Sequence, residues 1–152
     1  LDGRYVDTTP GNFALTMNIS VFSLTALAKR AEALMDDGGA ILTLTYYGAE
    51  KVLPNYNVMG VAKAALEPSV RYLASDLGPQ NIRVNAISPG WIMTERQIEK
   101  WLTPEADAMR EDRQALKRRL MPDDIARLAL FLCSEDASAI TGQNHIADGG
   151  WI

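Results

Sequence analysis

The chain has 152 residues, of which 47% are apolar and 22% are charged. This composition is that of a globular domain and excludes a disordered tail or a low-complexity linker. Asp and Glu number 19 against 15 Lys and Arg, and the net charge of −4 argues against nucleic acid as a partner, because an acidic surface repels phosphates.

A long helix is the first predicted element, from about residue 12 to residue 35. Apolar residues recur there in steps of three and four, which stacks them on one helix face. They are Met17, Val21, Leu24, Ala28, Ala31 and Met35. Two aspartates and two glycines at residues 36–39 end the helix, since glycine readily adopts the left-handed conformation of a helix C-terminus.

Two short strands flank a second long helix. Residues 40–46 read A-I-L-T-L-T-Y, and this nearly continuous apolar run predicts a strand covered on both faces, as in a parallel sheet. The second helix is predicted over about residues 56–77. Pro68 predicts a kink near residues 64–68, because an interior proline removes a hydrogen bond at a cost of about 3 kcal/mol. Residues 82–87 form the next buried strand.

The remaining third of the chain is less regular. Residues 91–120 are polar and weakly periodic, with one helix start at Thr103, where a capping hydroxyl precedes a proline. A further helix is predicted from Pro122 to about Ser134, and a last strand over residues 140–147. Strands that alternate with helices predict parallel βα units in one three-layer α/β/α domain.

Tyr56 and Lys63 are the first candidates for chemistry. They lie two helical turns apart at the start of the second long helix, so their side chains share one face. A nearby ammonium group and the helix dipole both favour a phenolate, so we expect the pKa of Tyr56 to be lowered. A tyrosine so tuned can donate and accept protons near neutral pH. The spacing alone also fits a surface tyrosine and a solvated lysine.

The sequence from Tyr46 through Glu67 resembles the active-site signature of the enoyl-acyl-carrier-protein reductases, a branch of the short-chain dehydrogenase/reductase superfamily. The tyrosine pair ten residues apart, Tyr46 and Tyr56, is particular to that branch. L-D-G-R-Y-V-D-T-T at residues 1–9, M-N-I-S at 17–20 and R-V-N-A-I-S at 83–88 extend the resemblance over about 90 residues. It implies a Rossmann-like doubly wound parallel sheet and a cytoplasmic homo-oligomer, a homotetramer, that acts in fatty-acid biosynthesis.

The resemblance also implies roles for single residues. Tyr56 matches the tyrosine that hydrogen-bonds the thioester carbonyl and stabilises the enolate formed by hydride addition. Lys63 matches the lysine that holds the nicotinamide ribose of NAD(H) or NADP(H) and acidifies that tyrosine, and Tyr46 matches the second catalytic tyrosine. The loop that packs the nicotinamide is matched by Gly90, Ile92, Met93 and Thr94.

Residues 91–152 are similar instead to sugar (aldose) 1-dehydrogenases of the same superfamily. The similarity lies in W-I-M-T-E-R-Q at residues 91–97, W-L-T-P-E at 101–105, L-K-R-R at 116–119 and the segment from Thr141 to Trp151. Residues 91–120 are the expected substrate loop, so an acyl thioester on acyl carrier protein and a small sugar both stay open as substrates. A chimeric chain and a divergent branch both account for the mixture.

None of the 11 glycines forms G-x-G-x-x-G between a strand and a helix. The pyrophosphate of a dinucleotide therefore lacks its glycine turn, and only the second βαβαβ half of a dinucleotide fold is recognisable. The chain begins with Leu1, and we expect an N-terminally truncated, partial Rossmann-like domain over residues 1–152. It would hold the nicotinamide end of the cofactor at most. The alternative is an inactive fragment or assembly module, with the strand at 40–46 as an exposed sheet edge.

Other residue types carry weaker expectations. His145 has no cysteine or carboxylate at ligand spacing, so no metal site is expected. Cys133 is predicted to be a small buried residue and, as the single cysteine, indicates a reducing compartment such as the cytoplasm. No uninterrupted apolar run of about 18 residues occurs, so no membrane span is expected.

Overall fold

A three-stranded parallel sheet, in the order β1-β2-β3, organises residues 3–152, the part of the chain that the computed structural model describes. The strands are β1 (Gly39–Leu44), β2 (Ile82–Pro89) and β3 (Asn144–Ala147). Leu44 is paired with Ile87, and Pro89 is paired with Ala147. Because the strands are parallel, their carboxyl ends lie along one edge of the sheet.

Six α-helices connect and cover the strands within the described residues. They are α1 (Pro10–Met17), α2 (Ser23–Glu32), α3 (Asn57–Leu77), α4 (Glu95–Trp101), α5 (Pro104–Arg113) and α6 (Pro122–Cys133). A π-helical segment, Asn18–Phe22, joins α1 and α2 into one continuous helix over residues 10–32. Single 3₁₀ turns occur at Tyr5–Asp7, Tyr47–Ala49, Gly78–Gln80 and Glu135–Ala137.

Hydrophobic clusters on opposite faces of β2 confirm the three-layer arrangement. On one face, α2 and α3 pack against alternate residues of β2; the buried cluster is Ala28, Val70, Ala74, Leu77, Ile82, Val84 and Ala86. On the other face, Ile87 of β2 packs against Leu132 of α6 and Ala137. The central strand is therefore covered on both sides, which explains its nearly continuous apolar sequence.

The two long helices agree with their periodicity. α3 begins one residue after the predicted start and continues through Pro68 without interruption, between the buried residues Leu66 and Val70. The first helix begins at Pro10, because the hydroxyl of Thr9 accepts a hydrogen bond from the N–H of Asn12 at 3.2 Å. Packing of the apolar face thus keeps a proline within a helix that local preference alone would break.

β1 is packed on both faces, as expected, although its burial is partial. Ile41 packs against the cluster formed with α2 and α3, and Leu42 packs against the cluster formed with α6. None of its six residues is fully buried, and Leu44 is 50% exposed. Only β2 pairs with β1 in the described sheet, so its other side is an unpaired edge, as expected for residues 40–46. The side-chain composition of this segment predicted a strand. How deeply the strand is buried depends on the elements that pack against it and pair with it.

The last part of the chain brings one confirmation and two corrections. The helix start predicted at Thr103 is confirmed, because Thr103 caps α5, and α4 is a second short helix within residues 91–120. β3 begins at Asn144, later than the predicted residue 140, because the preceding turn donates from the N–H of Gly142 to the carbonyl of Val84 at 2.7 Å. Cys133 is exposed, since it lies on the outer side of α6 while its neighbour Leu132 is 1% exposed.

The continuous helix Pro10–Glu32 is long and apolar enough to cross a membrane, by length and composition only. Its most apolar window has a mean hydropathy of 1.3 and is 11% buried. This corrects the expectation that the sequence contains no candidate membrane span. That expectation required an uninterrupted apolar run, whereas the mean hydropathy of this helix is high although polar residues interrupt it. Core helices of globular proteins and signal sequences meet the same criterion, so the finding is weak evidence for a membrane.

Candidate active site

Tyr46, Tyr56 and Lys63 come together where β1 ends. The ring centroids of Tyr46 and Tyr56 lie 5.4 Å apart with an interplanar angle of 66°, an edge-to-face contact. The Nζ of Lys63 donates a hydrogen bond to the carbonyl oxygen of Leu44, the last residue of β1, at 2.8 Å. The fold thus assembles the three proposed catalytic residues at the carboxyl edge of the sheet.

The end of β1 holds Tyr46 in place. The N–H of Thr45 donates to the carbonyl of Ile87 at 2.8 Å and so extends the pairing with β2 beyond Leu44. Tyr46 follows in an extended conformation, with φ −165° and ψ 156°, and precedes the 3₁₀ turn Tyr47–Ala49. The ring of Tyr46 therefore leaves the sheet at a defined position next to α3.

Tyr56 lies immediately before α3, between two asparagines with left-handed backbone. The φ angles are 62° at Asn55 and 46° at Asn57. Asparagine tolerates this conformation better than most residues, yet each such site costs on the order of 1–3 kcal/mol unless its surroundings enforce it. The side-chain amide of Asn57 donates to the carbonyl oxygen of Gly3, which ties this turn to the N-terminal segment.

Two glycines provide the space that the Tyr56 ring occupies. A Cβ on Gly48 would lie 2.5 Å from Cδ1 and 2.7 Å from Cε1 of Tyr56, and a Cβ on Gly60 would lie 2.9 Å from the carbonyl oxygen of Gly48. Neither glycine has a positive φ. Position 48 therefore requires a small residue for steric reasons, since its backbone would accept other residues.

Burial controls the protonation of the tyrosines. It raises the pKa of Tyr56 to about 12, and the nearby Tyr46 phenol acts in the same direction. Burial also raises the pKa of Tyr46 and lowers the pKa of Lys63. The expectation that Lys63 lowers the pKa of Tyr56 is therefore wrong for this structure: the Lys63 ammonium group is directed to a backbone carbonyl, and loss of solvent disfavours the phenolate.

The loop that begins at Gly90 lies on the same edge of the sheet. The N–H of Gly90 donates to the carbonyl of Ala147 at 3.0 Å, and a Cβ on Gly90 would lie 2.6 Å from the Cα of Asp148. A cavity of about 450 Å³ opens at this edge; its lining includes Tyr47, Ser88, Pro89, Asp148 and Trp151. Ligands of open α/β sheets bind outside these carboxyl ends.

The other candidate cofactor residues lead from β2 into α4. Ile92 forms an isolated parallel bridge with Leu120, and the N–H of Met93 donates to the carbonyl of Leu120 at 2.8 Å. The Met93 side chain is 2% exposed, at the base of a surface pocket that Thr94, Ile98 and Met121 also line. Thr94 is exposed, and its hydroxyl caps α4 by accepting a hydrogen bond from the N–H of Gln97 at 3.3 Å.

Ion pairs anchor the expected substrate loop. Arg110, 3% exposed, and Arg119 both donate to the carboxylate of Asp107, at 2.7 and 2.6 Å. Their hydrogen bonds lower the pKa of Asp107 to about 2. Arg118 pairs with Asp124 at 2.7 Å. These ion pairs of Arg110, Arg118 and Arg119 hold residues 107–124 together.

Glu67 is a polar residue of the site that the sequence analysis missed. Its Oε1 accepts hydrogen bonds from the hydroxyl of Thr45 at 2.8 Å and from the amide of Asn144 at 3.2 Å. The available signal was its spacing, because a residue four positions after Lys63 lies on the same side of a helix. Gly60 could have indicated in the same way where the Tyr56 ring packs, because an isolated glycine within a helical pattern marks a close approach of another part of the chain.

Metal ligands are not assembled in the described residues. No group of three or more His, Cys, Asp or Glu side chains among residues 3–152 is arranged to hold a metal ion. The Nε2 of His145 is buried without a hydrogen-bond partner in the same part of the chain. His145 belongs to β3 rather than to the tyrosine cluster.

Comparison with known proteins extends over the whole sequence. Residues 1–152 match the family described as Enoyl-(Acyl carrier protein) reductase. The chain belongs to this family. The enoyl-acyl-carrier-protein reductase (NADH) 1 of Rhizobium meliloti (strain 1021) is 54% identical over 99% of this chain and 56% of its own length. The chain thus spans little more than half of the relative it matches.

Solved structures give the same picture of the reductase family. The Bacillus cereus enoyl-acyl carrier protein reductase with NADP⁺ and indole naphthyridinone matches with a TM-score of 0.89 and 48% identity, over 98% of this chain and 58% of that one. A 7α-hydroxysteroid dehydrogenase with NADH matches with a TM-score of 0.89 and 36% identity, over 99% and 60% of the two chains. These matches confirm the Rossmann-like fold and the short-chain dehydrogenase/reductase superfamily.

The reductase match does not stop at residue 90. It includes residues 91–152, whose similarity to aldose 1-dehydrogenases raised the alternative of a chimera. One family therefore accounts for the whole length of the chain. The roles of single residues rest on the geometry described above.

Proposed function

We propose that this chain carries the catalytic tyrosines and the nicotinamide end of the cofactor site of an NAD(P)H-dependent enoyl-acyl-carrier-protein reductase. The observation that carries the proposal is the edge-to-face pair of Tyr46 and Tyr56 beside Lys63 at the end of β1. It is supported by 54% identity to a reductase whose name specifies NADH. The substrate is an enoyl thioester on acyl carrier protein, in fatty-acid synthesis.

Tyr56 is the hydrogen-bond donor to the thioester carbonyl in this mechanism. Its raised pKa, about 12, keeps the proton on the phenol at neutral pH. A donor of this kind stabilises the negative charge that develops on the carbonyl oxygen as the enolate forms. Tyr46 contacts the Tyr56 ring with its own ring and restricts the direction in which the hydroxyl points.

Residues at the carboxyl edge of the sheet fit the nicotinamide end of a dinucleotide. Gly90 packs closely against Asp148, which lines the cavity at the strand ends together with Ser88 and Pro89. Lys63, Gly90, Ile92 and Thr94 are the residues assigned to this group, and Met93 supports them from inside the chain. When bound, the reduced nicotinamide supplies the hydride. The 152 residues contain no G-x-G-x-x-G turn for the pyrophosphate, so we assign none of them to it.

The two candidate substrates, an enoyl thioester and an aldose, require different protonation states of Tyr56. An aldose 1-dehydrogenase requires Tyr56 to act as a base that removes a proton from the anomeric hydroxyl. Burial stabilises the protonated phenol and so works against that role, whereas it suits a donor to an oxyanion. With the match of residues 1–152 to the reductase family, the acyl thioester is the better supported substrate.

The proposal includes a cytoplasmic homotetramer. The outer side of the helix over residues 10–32 exposes large apolar side chains, among them Phe13, Leu15, Ile19, Phe22 and Leu27. Burying such a surface against further copies of the chain would remove it from water. The single cysteine suits a reducing compartment.

The decisive experiment compares two assays on the purified chain. We expect NADH oxidation with an enoyl thioester and no NAD⁺ reduction with aldoses, and we expect Tyr56→Phe to lower the rate of the former strongly. Activity with aldoses alone would contradict the proposal. Absence of both activities together with absence of NADH binding would instead favour an inactive assembly module.

A further inference from the structure

We propose that Glu67 is a positioning residue: together with Lys63 it fastens the end of β1 to α3 and so sets Tyr46 beside Tyr56. The catalytic consequence rests on the function proposed above. The positional consequence does not, because it concerns only how two rings of this chain meet.

Lys63 and Glu67 act on two consecutive residues at the end of β1: Leu44, its last residue, and Thr45, which follows it. They are four residues apart on α3, so both side chains project from the same side of the helix. Lys63 donates to the carbonyl of Leu44 at 2.8 Å, and Glu67 accepts from the hydroxyl of Thr45 at 2.8 Å. These two hydrogen bonds attach the last residues before Tyr46 to the helix that begins directly after Tyr56.

Thr45 is restrained from two directions. Its N–H donates to the carbonyl of Ile87 in β2, and its hydroxyl donates to Glu67 in α3. Because Thr45 is 3% exposed, no solvent replaces the hydrogen bond to Glu67 when that bond is lost. A valine at position 45 has a similar volume but cannot donate, so it isolates the contribution of the hydroxyl.

Glu67 also reaches the far strand of the sheet. The same Oε1 accepts a hydrogen bond from the amide of Asn144, the first residue of β3, at 3.2 Å. β1 and β3 both pair with β2 and not with each other in the described sheet. One carboxylate on α3 therefore connects the two strands that flank β2, which explains an acidic residue on the inner side of a mostly apolar helix.

Two exchanges at position 67, of which only Glu67→Gln is isosteric, separate the role of the hydrogen-bond acceptor from that of the charge. Glu67→Gln keeps an amide oxygen that accepts from Thr45 and Asn144, whereas Glu67→Ala removes the acceptor altogether. We expect Glu67→Gln to retain the arrangement of the rings and Glu67→Ala to lose it. Glu99→Ala is the matched control, since Glu99 is exposed on α4.

Nuclear Overhauser effects between the Tyr46 and Tyr56 rings test the positional claim in the full chain. We expect them in the wild type, Glu67→Gln and Glu99→Ala, and expect them weakened or lost in Glu67→Ala and Thr45→Val. Far-UV circular dichroism of each variant establishes that the chain is folded. Retention of the same ring contacts in folded Glu67→Ala and Thr45→Val would overturn the proposal.

Turnover tests the catalytic consequence separately. In the enoyl thioester assay we expect kcat of Glu67→Ala to fall roughly ten- to a hundredfold, with the KM for NADH nearly unchanged, and Glu67→Gln to recover most of the loss. Equal kcat in Glu67→Ala and the wild type would refute the positioning role. An inactive wild type would instead refute the proposed function, while the ring contacts would still decide the role of Glu67.

Discussion

Gly48 lies against the ring of Tyr56 so closely that a Cβ at position 48 would come within 2.5 Å of the ring atom Cδ1. The glycine is required for its size, because its φ lies outside the left-handed region. Gly60 supports this arrangement from behind, against the carbonyl oxygen of Gly48. The position of the proposed catalytic phenol thus depends on two residues that have no chemistry of their own.

Gly48→Ala is expected to displace the Tyr56 ring. The added methyl group destabilises the folded chain by about 1–3 kcal/mol, as overpacking of a filled site does, and kcat for the enoyl thioester falls roughly ten- to a hundredfold. Urea unfolding and steady-state kinetics measure the two effects. Gly11→Ala in α1 is the control, because a Cβ there meets nothing within 4 Å; equal behaviour of the two variants would contradict the steric explanation.

The two tyrosines are expected to differ in what their hydroxyl groups contribute. Tyr56→Phe keeps the ring and removes the donor to the oxyanion, so we expect kcat to fall about 10²–10³-fold with NADH affinity retained. Tyr46→Phe keeps the edge-to-face contact and is expected to have a milder effect than Tyr46→Ala, which removes the ring. A larger loss in Tyr46→Phe than in Tyr56→Phe would reverse the assignment of the two roles.

Alkaline pH is expected to destabilise the chain through Tyr56. The pKa of Tyr56 is raised from 10.0 to about 12, so the folded state keeps a proton that the unfolded state releases in this interval. The free energy of unfolding therefore decreases as the pH rises from about 10 towards 12. Urea titrations across this range measure it. Tyr56→Phe should show a smaller decrease, and an identical decrease in both proteins would speak against the burial of this phenol.

Asp107 is expected to stabilise residues 107–124, part of which lies in the proposed substrate loop, above acidic pH. Its pKa is lowered to about 2 by the hydrogen bonds from Arg119 and Arg110, so the stabilisation is present above the unfolded value of 3.8 and is lost as the pH falls towards 2. Asp107→Asn should lower the urea midpoint at neutral pH, and the difference from wild type should shrink at low pH.

Asp7→Asn is the matched control for Asp107→Asn. Asp7 pairs with Arg4 on the surface, where the two side chains are 59% and 78% exposed. Exposed ion pairs contribute little to stability, so we expect almost no change in the urea midpoint. A comparable shift in both variants would show that loss of a negative charge, rather than the buried arginine contact, is responsible.

The local sequence pattern was sufficient to predict a helix or strand where the segment carries an apolar face of its own. The steps of three and four residues predicted α3 to within one residue at its start, and the apolar run at residues 82–87 lies within β2. The same pattern was insufficient for residues 91–120. α4 and α5 are short and polar, and their threonine caps and ion pairs leave only a weak periodic signal.

Burial was the property that local pattern predicted least well. Cys133 follows three apolar residues yet is exposed, and β1 has the composition of a central strand yet lies at the edge of the described sheet. Whether a side chain is covered depends on residues far away in sequence. A single segment contains no information about them.

The sequence by itself pointed to three residues of the candidate site and missed Glu67. Tyr56 and Lys63 were identified by type and spacing and Tyr46 by the family resemblance, and the family match over residues 1–152 agrees with that resemblance. Only the tertiary structure decided how these residues behave. Burial raises the pKa of Tyr56 where charge alone predicted a lower value, and Glu67 connects β1, α3 and β3. The physical reason is that desolvation and hydrogen bonding depend on three-dimensional neighbours, which spacing along one helix does not specify.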